Sequence, residues 1–198
     1  MKLLLAHGMF RSPASLVLLR VRLARAGHEP VSFGYSVAFE SFERIVARFV
    51  ELASSIEGPW AIVGHSLGGV IARAATPLLP QGLEKVVMLG TPNRSPELAR
   101  RFSGLPLFRL AGDAGRKLAD DAFFSELPRP RVPTLVVAGT GGPRWGPLGD
   151  RPSDGVVAVE ETRLEGALHR EVPCLHTFIM NSPEVARIAT DFIGPASR

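Results

Sequence analysis

The chain has 198 residues, of which 45% are hydrophobic and 21% charged, with a formal net charge of +4. That length and balance predict one folded domain with its own core and exclude a disordered polymer. A single cysteine, Cys174, rules out an intramolecular disulfide framework and a multi-cysteine metal cluster.

At the amino end, Lys2 is followed by only Leu3, Leu4, Leu5 and Ala6 before His7 and Gly8, shorter than the ~7–15 apolar residues of a secretion signal. The longest uncharged apolar stretch, 60–72, falls short of the ~18 residues of a membrane span. The cytoplasm is therefore the expected compartment. Of 23 basic residues only Lys2, Lys85 and Lys117 are lysines. The arginines are spread along the whole chain rather than gathered on one helix, so the charge reads as a solvated surface and nucleic acid is not an expected partner.

In chain order, short runs rich in Leu, Val and Ile predict strands at 3–6, 31–33, 61–63, 85–89, 134–138 and 168–172. Several lack alternation, as strands covered on both faces do. Helical patterns fall between them, so the fold class is α/β with a parallel sheet. Phe42, Ile45, Val46, Phe49, Ala53 and Ile56 form one apolar stripe. Ser12-Pro13, Ser95-Pro96 and Ser182-Pro183 each offer a capping hydroxyl and a proline for the first helical position. The last of these opens a helix with Val185, Ile188, Ala189 and Phe192 facing inward. Residues 1–198 form a single domain in this reading. The stretch 93–133 is longer than the ~2–6 residues of an ordinary α/β connection. It predicts helical pieces at 96–102 and 116–127, with an apolar face from Phe102, Leu105, Leu107, Phe108 and Leu110. It fits either a small lid over a site or helices packed on the sheet.

The sharpest chemical signal is Gly64-His65-Ser66-Leu67-Gly68. An apolar run, Trp60-Ala61-Ile62-Val63, precedes it, and the helical pattern of Val70, Ile71 and Ala74 follows. A serine on so tight a strand-to-helix corner needs glycines two residues to either side. The corner exposes Ser66 Oγ at a helix N-terminus, where backbone N–H groups and the helix dipole favour negative charge.

Gly64-His65-Ser66-Leu67-Gly68-Gly69 resembles the nucleophile elbow of the α/β-hydrolase family, most of all its minimal bacterial lipases and esterases with a small or absent lid. His7-Gly8-Met9 after the first strand and Leu89-Gly90-Thr91-Pro92-Asn93-Arg94 after the fourth are similar to further family stretches. The resemblance implies a minimal sheet of about six parallel strands with helices on both faces. With the first strand so near the start of the sequence, the antiparallel strands that open larger members are not expected.

A serine hydroxyl becomes a useful nucleophile only when a base takes its proton, and that base needs an orienting carboxylate. The family's chain order would be serine, acid, histidine. His7 and His65 lie inside motifs and His28 precedes the nucleophile, which leaves His169 and His176. His169 falls within the last strand. His176 lies in a loop, and Leu175-His176-Thr177-Phe178 resembles the family's histidine loop. For the acid, the chain after 134–138 offers Asp150 and Asp154. Asp154-Gly155-Val156-Val157 resembles the family's acid loop, and a helix-capping role for Asp154 is the competing reading. The resemblance further implies oxyanion donors at the Leu67 and Met9 amides, with Phe10 the alternative if the loop turns one residue later.

The expected function is hydrolysis of carboxylic esters through an acyl-enzyme on Ser66, with His176 as base and Asp154 as its partner. Phe10, His65, Phe102 and Phe108 are the candidate substrate contacts, and the apolar face of 102–110 suggests a short- to medium-chain acyl or lipid-like ester. No metal or organic cofactor is expected. The partner is a small-molecule ester or lipid, with a membrane surface left open by the positive charge. An acyltransferase or thioesterase would use the same three residues, and a non-catalytic binding protein of the fold would not need all three. Cys174, outside any such corner, reads as buried and inert.

Overall fold

The computed structural model describes residues 1–105 and 110–195. Six parallel strands form one sheet in the order β2-β1-β3-β4-β5-β6: β1 Lys2–Ala6, β2 Glu29–Phe33, β3 Trp60–His65, β4 Leu83–Leu89, β5 Thr134–Gly139 and β6 Leu168–Val172. The expected strands are all present, each within two residues at either end. The central strands β1, β3 and β5 are buried almost throughout, as their unbroken apolar runs require. The edge strands β2 and β6 become fully buried only at their last residues, Phe33 and Val172. Their single covered end explains why polar residues interrupt them.

Alternate residues of each strand feed two cores. On one face Leu4, Ile62, Met88 and Val136 pack with Phe42, Ile45 and Phe49 of α2 (Phe42–Ser54) and Val70 and Ile71 of α3 (Leu67–Ala75). On the other, Leu3, Leu5, Val63 and Val137 meet Leu19 and Leu23 of α1 (Val17–Arg25) and Val185 and Ala189 of the last helix, Pro183–Ile193. Burying each large aliphatic or aromatic side chain contributes about 1.5–3 kcal/mol. The inward stripe of that last helix is Val185, Ala186, Ala189 and Ile193; Ile188 and Phe192, expected to face inward, are half-buried at its margin.

The serine-proline signals prove unequal. Ser182 caps its helix by accepting from the Val185 amide at 3.3 Å. Ser12 precedes only a 3₁₀ turn and caps nothing with its side chain. After Ser95, Pro96 is itself the N-cap of α4 (Glu97–Phe102). The buried Ser95 hydroxyl instead donates to the Leu118 carbonyl at 3.1 Å.

Residues 93–133 carry α4, α5 (Gly112–Leu118) and α6 (Asp121–Glu126). The helix expected over 116–127 is cut at Asp120, whose carboxylate accepts from the Ala122 amide and starts a new helix. Ala99, Ala114, Leu118 and Phe124 join the core on the α2 and α3 face. The buried Arg73 of α3 donates to the Asn93 carbonyl at 3.1 Å and to the Leu127 and Pro128 carbonyls at 2.8 and 3.1 Å, tying both ends of the segment to one helix. Burial, assisted by the nearby charge of Arg129, pushes the pKa of its guanidinium down to about 10. Phe108 and Leu107, read as part of the apolar face, lie outside the described residues. A short α7 (Val159–Thr162) precedes β6, and the last helix is α8. No described helix is long and apolar enough to cross a membrane.

Candidate active site

Because every strand is parallel, their carboxyl ends lie along one edge, where ligands of open α/β sheets bind. Five loops leaving that edge bring the candidate residues together.

Ser66 follows β3 directly and is the N-cap of α3, with φ 52 and ψ −121. That left-handed conformation costs a non-glycine residue about 1–3 kcal/mol. The flanking glycines permit it. A Cβ on Gly64 would come 2.5 Å from the Gly69 nitrogen, and one on Gly68 would strike the Ala6 carbonyl. Gly69 is held for a different reason: a Cβ there would collide with Thr91 in the loop after β4.

Ser66 Oγ lies 3.0 Å from His176 Nε2, and His176 Nδ1 lies 2.6 Å from Asp154 Oδ2. A carboxylate only accepts, so Nδ1 carries the proton and Nε2 presents its lone pair to the hydroxyl. The Asp154 side chain is fully buried and that of His176 nearly so. Asp154 also closes the turn that follows it. Its Oδ1 accepts from the Val156 and Val157 amides at 2.9 and 2.7 Å, leaving Oδ2 aimed at the imidazole. These bonds close a turn and cap no helix, since α7 begins at Val159 with Ala158 as its N-cap; the helix-capping alternative is not what the fold shows. The Asp154 backbone carbonyl accepts from the His176 amide at 2.9 Å, so acid loop and histidine loop are joined twice. Gly90, at φ 56, lies beneath the pair. A Cβ there would come 3.1 Å from Asp154 Oδ2 and 3.2 Å from His176 Nδ1.

The loop after β1 turns over Gly8–Arg11, closed by the Arg11 amide on the Gly8 carbonyl at 3.2 Å. Tyr35, the chain's one tyrosine, holds it. Its hydroxyl donates to the His7 carbonyl at 2.7 Å, its amide donates to His7 Nε2 at 3.4 Å, and its ring stacks on the imidazole at 4.2 Å. His7 Nδ1 donates to the Gly8 carbonyl at 2.8 Å, and burial lowers its pKa. The Leu67 amide, first in α3, has no acceptor within its own helix.

Beside Ser66 opens a cavity of about 160 Å³, lined by Met9, Pro96, Ala99, Phe102, Leu118 and Val157 among others. Among the described residues, Ser66 supplies the one hydroxyl in its lining. Its α4 wall is fastened to the acid loop. Glu97 pairs with Arg151, and the buried Glu161 accepts from the Glu97 amide at 2.7 Å and from the Ala158 amide at 2.8 Å.

The other expected contacts are placed differently. Phe102 lines the cavity, but Phe10, at φ 55, does not and leaves over half of its surface in solvent. His65 is buried outside the cavity wall, because the alternation of β3 turns it beneath the corner; its Nε2 lies 3.1 Å from the His176 carbonyl. Phe108 lies outside the described residues. Asp150 is exposed, and its carbonyl accepts from Arg144. His169 stands on β6 with Nε2 2.9 Å from the Thr162 hydroxyl. Cys174 is half-buried rather than buried. Sequence reasoning missed Tyr35, Glu161 and the reason for Gly90. A lone tyrosine two residues past a strand end was the available signal for the first.

A search of curated proteins finds no significant match. Solved structures match over nearly the whole chain. Mature lipase BlEst2 from Bacillus licheniformis is 16% identical with a TM-score of 0.71, over 90% of this chain and 86% of that one. A structure of the metagenome-derived lipolytic enzymes LipS and LipT is 14% identical with a TM-score of 0.72, over 97% and 92%. The enol-lactonase of Burkholderia xenovorans LB400 is 16% identical with a TM-score of 0.65, over 97% and 90%. At such identities the likeness is one of fold. The sequence profile described as alpha/beta hydrolase fold matches residues 11–130, more than half of the chain, and the protein belongs to the α/β-hydrolase family.

Proposed function

We propose that the protein is a serine hydrolase of carboxylic esters. The observation that carries this reading is the continuous line Ser66 Oγ, His176 Nε2, His176 Nδ1, Asp154 Oδ2, with links of 3.0 and 2.6 Å. Ser66 Oγ attacks the ester carbonyl carbon while His176 Nε2 takes its proton. Asp154 keeps the imidazole in the required tautomer and balances the imidazolium that forms. The carbonyl oxygen becomes an anion facing the Leu67 and Met9 amides, each such donor being worth about 3 kcal/mol to the transition state. The imidazolium returns the proton to the departing alcohol. Water, deprotonated by the same Nε2, then releases the acid and frees Ser66.

The cavity beside Ser66 supports an apolar acyl group. An apolar pocket of this size takes about six carbon atoms, as an engineered apolar cavity of roughly 150 Å³ takes benzene. Short- to medium-chain esters fit this reading better than long lipids. The test is turnover of a p-nitrophenyl ester series from acetate to laurate. The expected profile peaks at or below about six acyl carbons, and Ser66→Ala loses roughly 10⁴–10⁶-fold in kcat while remaining folded. A Ser66→Ala protein as active as the wild type would refute the assignment.

A further inference from the structure

His65 is buried and takes no part in the reaction scheme, although it adjoins the nucleophile. Its Nε2 is 3.1 Å from the His176 carbonyl oxygen. A carbonyl cannot donate, so Nε2 bears the proton. Nδ1 then holds a lone pair with no hydrogen-bond partner among the described residues. It faces Gly8, where a Cβ would come within 2.8 Å of it. The ring is thus wedged between the loop after β1 and the histidine loop, and makes one polar contact.

That contact completes the anchoring of the base. The His176 amide is held by the Asp154 carbonyl, and the His176 carbonyl by His65. One backbone group is tied to the acid loop and the other to the residue before Ser66. On its outer side the loop has little packing: Pro173, Leu175 and Phe178 are all exposed. We infer that His65 is a positioning residue, which sets the His176 imidazole between Asp154 and Ser66 through the His176 main chain; this rests on the proposed hydrolytic role of His176. Burial holds the His65 pKa well below the ordinary 6.5, with the nearby His176 adding to the effect. The ring centroids are 5.0 Å apart. A neutral His65 therefore sets no like charge against His176 when that ring is protonated in the intermediate.

The experiment compares His65→Leu, His65→Asn and His65→Gln with the wild type. Glutamine can place an N–H near the position of Nε2, whereas asparagine reaches only the position of Nδ1 and leucine donates nothing. For p-nitrophenyl butyrate the expected result is a loss of about 10–10²-fold in kcat for Leu and Asn, the scale of a misplaced catalytic group. KM should stay nearly unchanged, and Gln should recover most of the loss. In proton NMR the downfield resonance of the His176 Nδ1–H should be sharp in the wild type and in His65→Gln, and broadened in the other two. Thermal unfolding confirms that each variant is folded; if Leu is not, the Asn and Gln pair carries the comparison. Wild-type kcat and resonance in all folded variants would overturn the inference, as would a loss in Gln equal to that in Asn. An inactive wild type that also resists fluorophosphonates would overturn the hydrolase reading instead, and the NMR comparison would still decide the role of His65.

Discussion

The two ends of the sheet treat buried histidine in opposite ways. At the carboxyl ends His7, His65 and His176 are all buried, and each is bonded to another loop or to a neighbour in the site. At the amino end His28, just before β2, is equally buried and has no partner on either nitrogen among the described residues. The backbone follows the same division. Ser66 and Phe10, the only non-glycine residues at positive φ among the described ones, both lie at the carboxyl edge, as does Gly90 beneath the Asp154–His176 pair. Burial alone therefore marks nothing. A functional edge is recognised by polar groups linked in series and by strain held in place by neighbouring loops.

Cutting one link at the carboxyl edge should have the largest effect. Asp154→Asn keeps the shape but favours the wrong imidazole tautomer, and kcat should fall about 10⁴-fold with little change in KM. Activity within tenfold of wild type would show that the acid is not needed. Gly90→Ala should come next. It forces a Cβ against Asp154 Oδ2 and His176 Nδ1 at a left-handed position, so unfolding measurements should show a loss of about 1–3 kcal/mol. Ester kinetics should show kcat lower by about 10–10²-fold. A neutral outcome would mean that the pair tolerates displacement.

The smallest effect belongs to the amino end and has the opposite sign. His28→Leu removes two unpaired buried nitrogens, so it should stabilise the protein by about 1 kcal/mol in urea unfolding without changing kcat. It should also change the response to acid. Burial lowers the pKa of His28 in the folded state below the ordinary 6.5, with the amino-terminal charge assisting, so below that pH the unfolded chain binds more protons. Stability from a neutral buried histidine is thus complete above about pH 6.5 and declines as the pH falls through that value. The variant should show a shallower acid limb. The limb should not vanish, because His7 and His65 are shifted in the same direction.

Much of this was legible in the sequence because it is local. The strands announce themselves by apolar runs, and the Ser66 corner by glycines whose Cβ atoms would strike the backbone. Asp154 and His176 could be singled out by their loops and by chain order, and the fold does bring them together with Ser66. What stayed hidden depends on partners far along the chain. Ser95 looked like a cap, yet its hydroxyl reaches Leu118, and the start of α4 is held by Glu161 from beyond β5. His65 was expected among the substrate contacts. The alternation of a strand turns it away from the cavity, toward a carbonyl contributed by a loop beyond β6. Tyr35 carries no motif, and its role exists only because β1 and β2 pair side by side.

The central claim is that Ser66 is made reactive by His176. It is tested most directly by treating the protein with a fluorophosphonate and mapping the adduct by mass spectrometry, in the wild type and in His176→Ala. The account predicts one adduct, on Ser66 Oγ, forming rapidly in the wild type and at least about 10³-fold more slowly without the imidazole. No adduct, an adduct on another residue, or equal rates in the two proteins would contradict it.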